Sequence, residues 1–154
     1  PDFETTLDLN QDAYIPAAYI PDEYQKLDIY KRIAAITTEE DRDEMLDELI
    51  DRFGEPSKPV QRLLQIAMLK AFAHDTWFTE IKEQKNEIRF VMYDRADVDP
   101  ARIPELLSKW NHRIRFQADK EQPTFLYQRQ KQDGDVFDVI RLFLTDCRET
   151  IVLS

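Results

Sequence analysis

Glycine is almost missing from this chain: Gly54 and Gly134 are the only two among 154 residues. A glycine-rich phosphate cradle needs several glycines close together, so no nucleotide-binding loop can be built from this sequence. Cysteine is scarcer still. Cys147 stands alone, which excludes an internal disulfide and a four-thiolate zinc site. A nucleophilic cysteine needs a histidine partner; the run Leu144-Thr145-Asp146-Cys147-Arg148 reads instead as helix, with Cys147 a small, half-buried core residue. The two histidines, His74 and His112, are far apart and in no metal-ligand spacing. His74, near a helix C-terminus, reads as a cap or surface residue. No Gly-x-Ser-x-Gly element is present. The acids between Glu39 and Asp51 lack the turn glycine of a calcium loop. We therefore expect no catalytic residue, no metal and no cofactor. No apolar run approaches the twenty or so residues that span a bilayer, and no charged-then-apolar signal segment opens the sequence. The expectation is a soluble, cytoplasmic globular protein.

What the chain has in excess is negative charge, a net of −10 with 42% hydrophobic residues. The charge is uneven. Residues 1–77 carry 8 basic and 17 acidic side chains, a net of −9, whereas residues 78–154 carry 13 and 14, a net of −1. An acidic front half repels nucleic acid and favours a basic protein partner.

Periodicity divides the chain into a helical part followed by a mixed part. Thr5 to Leu9 alternates as a short strand would, and Pro16 and Pro21 punctuate an irregular stretch after it. Helix one is expected from Asp22 to Ala35, with Leu27, Tyr30, Ile33 and Ala34 at helical spacing. Thr37 with Glu40 is a capping-box pattern for helix two, which ends at Phe53. Ser57 and Pro59 open helix three, with Val60, Leu63, Leu64, Ala67, Met68 and Ala71 inward. Period two then takes over. Trp77 to Lys82 and Ile88 to Tyr93 form a hairpin, and a short helix runs from Pro100 to Trp110. Arg113 to Ala118 and Thr124 to Gln130 form a second strand pair, and Val136 to Val152 a closing amphipathic helix. Three helices followed by two hairpin-plus-helix units indicate an α+β fold with an antiparallel sheet.

Two surfaces can bind something. Lys109-Trp110-Asn111-His112-Arg113-Ile114-Arg115-Phe116 interleaves basic and aromatic residues, as do Tyr127, Arg129 and Lys131, which suits base stacking and phosphate contact. The same alternation fits an ordinary strand with Ile114 and Phe116 inward and the arginines outward. Tyr14, Tyr19, Tyr24 and Tyr30 read as core and helix-packing material.

The other surface lies in Glu48-Leu49-Ile50-Asp51-Arg52-Phe53-Gly54. Met45, Leu46, Leu49, Ile50 and Phe53 gather into one apolar stripe at about 100° per residue. Glu48 and Asp51, three positions apart, are expected near the opposite face, exposed beside Arg52. Gly54 supplies the left-handed residue that closes a helix. A solvated charged face accounts for this pattern; so does a rigid pair of carboxylates suited to bidentate arginine recognition.

This heptapeptide, with Asp12-Ala13-Tyr14-Ile15-Pro16, Tyr19-Ile20-Pro21, Tyr30-Lys31-Arg32-Ile33-Ala34 and Leu63-Leu64-Gln65-Ile66-Ala67, resembles the C-terminal domain of the bacterial transcription-repair coupling factor, Mfd. The match is strong over residues 5–75 and is only a matter of pattern from 77 to 154. Two departures stand out: Glu55-Pro56-Ser57 where the family usually has a Leu-Pro pair, and Lys26 where arginine is common. The resemblance implies a single regulatory domain over residues 1–154. The chain, which opens on Pro1, is then expected to be a C-terminal piece of a larger DNA-repair protein. It implies no catalysis in this domain, the ATP-dependent DNA translocase and the RNA polymerase contact lying in other domains of the parent. It further implies autoinhibition in nucleotide excision repair. The domain docks within the same protein on an N-terminal UvrB-like module, in competition with UvrA, through positions that here are Glu48 and Asp51. The alternative is a nucleic-acid-binding accessory module using the basic and aromatic second half.

Overall fold

The computed structural model describes residues 2–118 and 121–154. The chain forms two compact units, Asn10–Ala71 and the segment up to Leu9 together with Phe72–Ser154.

The first unit is helical. Asp22 caps α1 (Glu23–Ala34) by accepting from the Gln25 backbone N–H, and Thr38 caps α2 (Glu39–Phe53) by accepting from Asp41. The α2 cap therefore sits one residue beyond the expected Thr37, whose own N–H and hydroxyl donate instead to the Asp41 carboxylate. Gly54 closes α2 at φ +85°, and its N–H donates to Ile50 O. The third helix, α3 (Lys58–Asp75), begins here with Pro59 in its first turn. The unit's core joins Ile15, Ile20, Ile29, Ile33, Ile36, Met45, Leu49, Val60 and Leu64.

Helix α1 departs from its expected orientation. Ile29 and Ile33 face inward, while Leu27 is 54% exposed and Ala34 also lies outside. Tyr19 and Tyr30 pack against the core, and the Tyr30 hydroxyl accepts from Ile15 N–H at 2.8 Å. Tyr14 and Tyr24 do not: they are 49% and 87% exposed. Their expected place in the core is corrected accordingly.

The second unit is a five-stranded sheet with two packed helices. Its strands are β1 (Thr6–Asp8), β2 (Phe78–Glu83), β3 (Glu87–Met92), β4 (Ile114–Gln117) and β5 (Thr124–Gln128), in the order β1-β2-β3-β5-β4. The two expected hairpins, β2–β3 and β4–β5, are both antiparallel and join through the antiparallel β3–β5 pair. β1 adds a parallel edge in the register Thr6 to Glu80, so the sheet is mixed, within the expected α+β class. A 3-10 turn (Pro100–Arg102) leads into α4 (Ile103–Lys109). Helix α5 (Val136–Thr150), capped by Asp135, buries Phe137, Ile140, Phe143, Leu144 and Cys147. Phe78, Phe90, Phe125 and Phe143 meet in edge-on and tilted contacts that fill the sheet's covered face.

Candidate functional site

The frame of the site is α2 and the helix packed beside it. With Met45 and Leu49 at the centre of its buried face, 100° per residue places Glu48 about 80° away and Asp51 about 140° away. The two carboxylates accordingly meet different surroundings. Asp51 is exposed, and no hydrogen bond or ion pair reaches it among the described residues. Glu48 sits on the flank that faces α1, with 31% of its side chain exposed. Ile50, about 120° from the buried centre, is likewise outside at 37%, so the apolar stripe is narrower than expected.

Glu48 is already engaged by arginines of its own chain. Arg32 of α1 grips it with both prongs, Nη1 to Oε2 at 2.6 Å and Nη2 to Oε1 at 2.5 Å. Arg52, one turn along α2, donates Nη1 to Oε2 at 2.7 Å. Arg32 also lies 3.8 Å from Asp28. Asp28, Arg32, Glu48 and Arg52 thus form a continuous row of alternating charge that ties α1 to the end of α2. The hydrogen bonds from Arg32 and then Arg52 hold the Glu48 carboxyl down at about 2, and the same bond from Glu48 pushes Arg32 up. The expected exposure of Glu48 gives way to a half-buried carboxylate with both oxygens occupied. Neither arginine was singled out as its partner, because Arg32 lies sixteen positions away on another helix.

A second tie fixes the helix end. The Tyr19 hydroxyl points at Gly54 O, 2.7 Å away, and Leu49 O, 3.3 Å away, satisfying carbonyls that a helix terminus leaves open. Its ring packs against Phe53, over which the Arg52 guanidinium lies at 4.9 Å. Burial, and then the charge of Glu55, raise the Tyr19 pKa. Beside Glu48 a cleft of about 340 Å³ opens between α1 and α2, lined by Arg32, Ala35, Ile36, Asp41, Glu44, Met45 and Glu48.

The basic and aromatic segment of the second unit is arranged otherwise. Trp110 is buried and donates its indole N–H to Asp146, and Tyr127 is 1% exposed with its hydroxyl on Asp133. Burial and that bond push Tyr127 up to about 12. Arg129 pairs with Glu83 at 2.7 Å. Only Arg115 and Lys131 of this group are fully exposed, so its two largest rings are core residues rather than stacking platforms. Cys147 is fully buried, and desolvation drives its thiol well above the usual range. His74 is no surface cap: its Nε2 lies 3.0 Å from Phe3 O and its ring stacks on Phe3. Nearby, Trp77 adopts φ +75°, and its buried indole N–H has no partner among the described residues. Among the described residues no group of three or more His, Cys, Asp or Glu is placed to hold a metal ion, and no helix is long and apolar enough to cross a membrane.

Known proteins match this arrangement. The TRCF domain family model matches residues 9–103, which include α1, α2 and the Glu48–Asp51 segment. The transcription-repair-coupling factor of Bacillus subtilis (strain 168) is 38% identical over 114 residues, covering 73% of this chain and 10% of that protein. Those of Staphylococcus haemolyticus (strain JCSC1435) and Staphylococcus aureus (strain USA300) are 39% identical over 93 residues and 41% over 81. They cover 60% and 53% of this chain, and 8% and 7% of their own length. The chain therefore spans about a tenth or less of the relatives it matches. A crystal structure of the C-terminal domain of transcription-repair coupling factor shares the fold, with a TM-score of 0.71, 23% identity, and coverage of 96% of this chain and 93% of that one. With the family model matching well over half of its residues, this chain belongs to the TRCF domain family, and it resembles the C-terminal domain of transcription-repair coupling factors.

Proposed function

We propose that this chain is a non-catalytic regulatory domain that docks, through the end of α2, on the N-terminal UvrB-like module of its parent protein. There it masks the surface that UvrA would occupy. The observation that carries the reading is the placement of Asp51: an exposed, unengaged carboxylate at the end of a helix whose geometry is fixed by Gly54, Tyr19 and the Arg32–Glu48 pair. A preorganised carboxylate loses little freedom on meeting an arginine, and a bidentate pair adds directional selectivity. Glu48 has a second part in this reading. Its i,i+4 partner Arg52 is solvent-facing and weakly held, so a partner's arginine can take Arg52's place while Arg32 keeps the carboxylate aimed.

Such a contact works by shifting a population. A tether between two parts of one protein supplies a high effective concentration, so a modest interface keeps the closed form dominant, and a few kcal/mol open it. The test is a binding titration of this chain against the UvrB-like module from the same source. Asp51→Ala is expected to weaken binding by about 1.5–3 kcal/mol, the worth of a hydrogen bond to a charged group. The parent protein carrying it should bind UvrA more readily without RNA polymerase. Unchanged affinity in Asp51→Ala, together with salt-sensitive DNA binding that disappears in an Arg115/Lys131 double variant, would favour the nucleic-acid reading instead.

A further inference from the structure

Helix α1 is apolar on two faces, and the core uses only one of them. Ile29 and Ile33 are buried at 0% and 3% exposure. On the opposite side Tyr24, Leu27, Lys31 and Ala34 recur at i, i+3, i+7 and i+10, a single stripe in helical projection, and all four are exposed. Tyr24 is 87% exposed and Leu27 54%, the two most exposed large apolar side chains on the helical unit. Ordinary surface economy does not place a tyrosine and a leucine one turn apart with nothing on them.

The stripe is also not isolated. Tyr24, Asp28 and Arg32 are successive i,i+4 neighbours, and the row continues through the Arg32–Glu48 and Glu48–Arg52 pairs to the end of α2. Ion pairs and packing thus hold the apolar stripe and Asp51 on one frame within the same unit. Around Tyr24 and Leu27 the exposed charges are Asp22, Glu23 and Asp28. The one nearby lysine before Lys31, Lys26, is folded down onto Glu23 at 3.4 Å with 16% of its side chain exposed.

We propose that Tyr24 and Leu27 are the apolar anchor of the docking surface whose charged part is Asp51, and that the partner surface is an apolar pocket rimmed by arginine or lysine. The assignment rests on the docking reading above and adds what that reading lacks. Exposed charge sets approach and orientation, whereas residence on a partner comes from a desolvated aromatic or aliphatic anchor. An acid-ringed Tyr-Leu pair calls for the complementary arrangement, apolar at the centre and basic at the edge.

The test titrates the UvrB-like module with the full chain and with three variants, Tyr24→Ser/Leu27→Ser, Tyr24→Phe and Asp51→Asn, each at low and high salt. Unchanged far-ultraviolet dichroism establishes that the exposed substitutions leave the helices formed. The double variant is expected to weaken binding more than about tenfold, by a similar factor at both salt concentrations, while Tyr24→Phe retains it. Asp51→Asn should weaken binding mainly at low salt. If the double variant binds like the parent while Asp51→Asn does not, the apolar anchor is refuted and the docking reading stands. If the unaltered chain does not bind the module, both fall. If sedimentation shows the unaltered chain self-associating and the double variant monomeric, the stripe serves a second copy of this chain and the proposed partner is wrong.

Discussion

Replacing Glu48 by alanine tests whether this residue is a free contact group or a structural tie. The substitution removes three charge-assisted hydrogen bonds at 2.5–2.7 Å and leaves Arg32 with only the 3.8 Å contact to Asp28. For a fully exposed pair the loss is about 0.2–1 kcal/mol. A bidentate pair with a third donor, 31% exposed on the acid and 42% on Arg32, falls above that range and below that of a buried pair. We expect Glu48→Ala to cost about 1–2 kcal/mol, and Asp51→Ala, which breaks nothing, less than about 0.5. Urea unfolding followed by circular dichroism at neutral pH measures both. A double-mutant cycle of Arg32→Ala with Glu48→Ala isolates the pair, and its coupling should account for most of the loss and shrink in high salt. Equal, negligible costs for Glu48→Ala and Asp51→Ala, with no coupling to Arg32, would refute the argument and return Glu48 to the role of a free contact residue.

Acid should expose the same pair. Because the folded Glu48 pKa is lowered from about 4.5 to about 2, its contribution is present above the unfolded value and is lost as pH falls through that window. After discounting for solvent screening the loss is on the order of 1 kcal/mol, and it should vanish from the pH–stability profile of Glu48→Gln. Gly54→Ala should cost about 1–3 kcal/mol in thermal or urea unfolding although a Cβ there meets nothing within 4 Å, since the penalty lies in the φ of +85° with ψ of −178°. Leu49→Ala, at a fully buried position, should cost about 2–5 kcal/mol in the same measurement.

What was legible in the sequence was local. The α2 end, the glycine closing it and both hairpins announce themselves through a single residue or a short alternation, and they form within one or two residues of where they are expected. Helix α1 was harder, because two helical stripes compete on it. Leu27 and Ala34 belong to one, Ile29 to the other, and periodicity alone cannot say which the core selects. The parallel β1–β2 pairing joins residues 6–8 to 80–82, and three residues carry no period of their own. The grip of Arg32 on Glu48 is equally non-local. Asp51 lies where the helical wheel puts it, since its position depends on α2 alone.

The pairing of β1 with β2 has a consequence for how the molecule assembles. These strands are neighbours in the sheet, yet residues 10–71 lie between them in the chain. The helical unit is therefore an insertion, fastened at both ends, and β1 cannot settle on its edge until the termini of that insertion come together. Closing a long disordered loop is entropically costly, but a helical unit that folds first on local contacts shortens it beforehand. β1 is then expected to be the last strand to gain hydrogen-exchange protection during refolding. A destabilised α2 would loosen a sheet edge to which it contributes no strand, so damage to the helical unit would be felt as fraying of Thr6–Asp8.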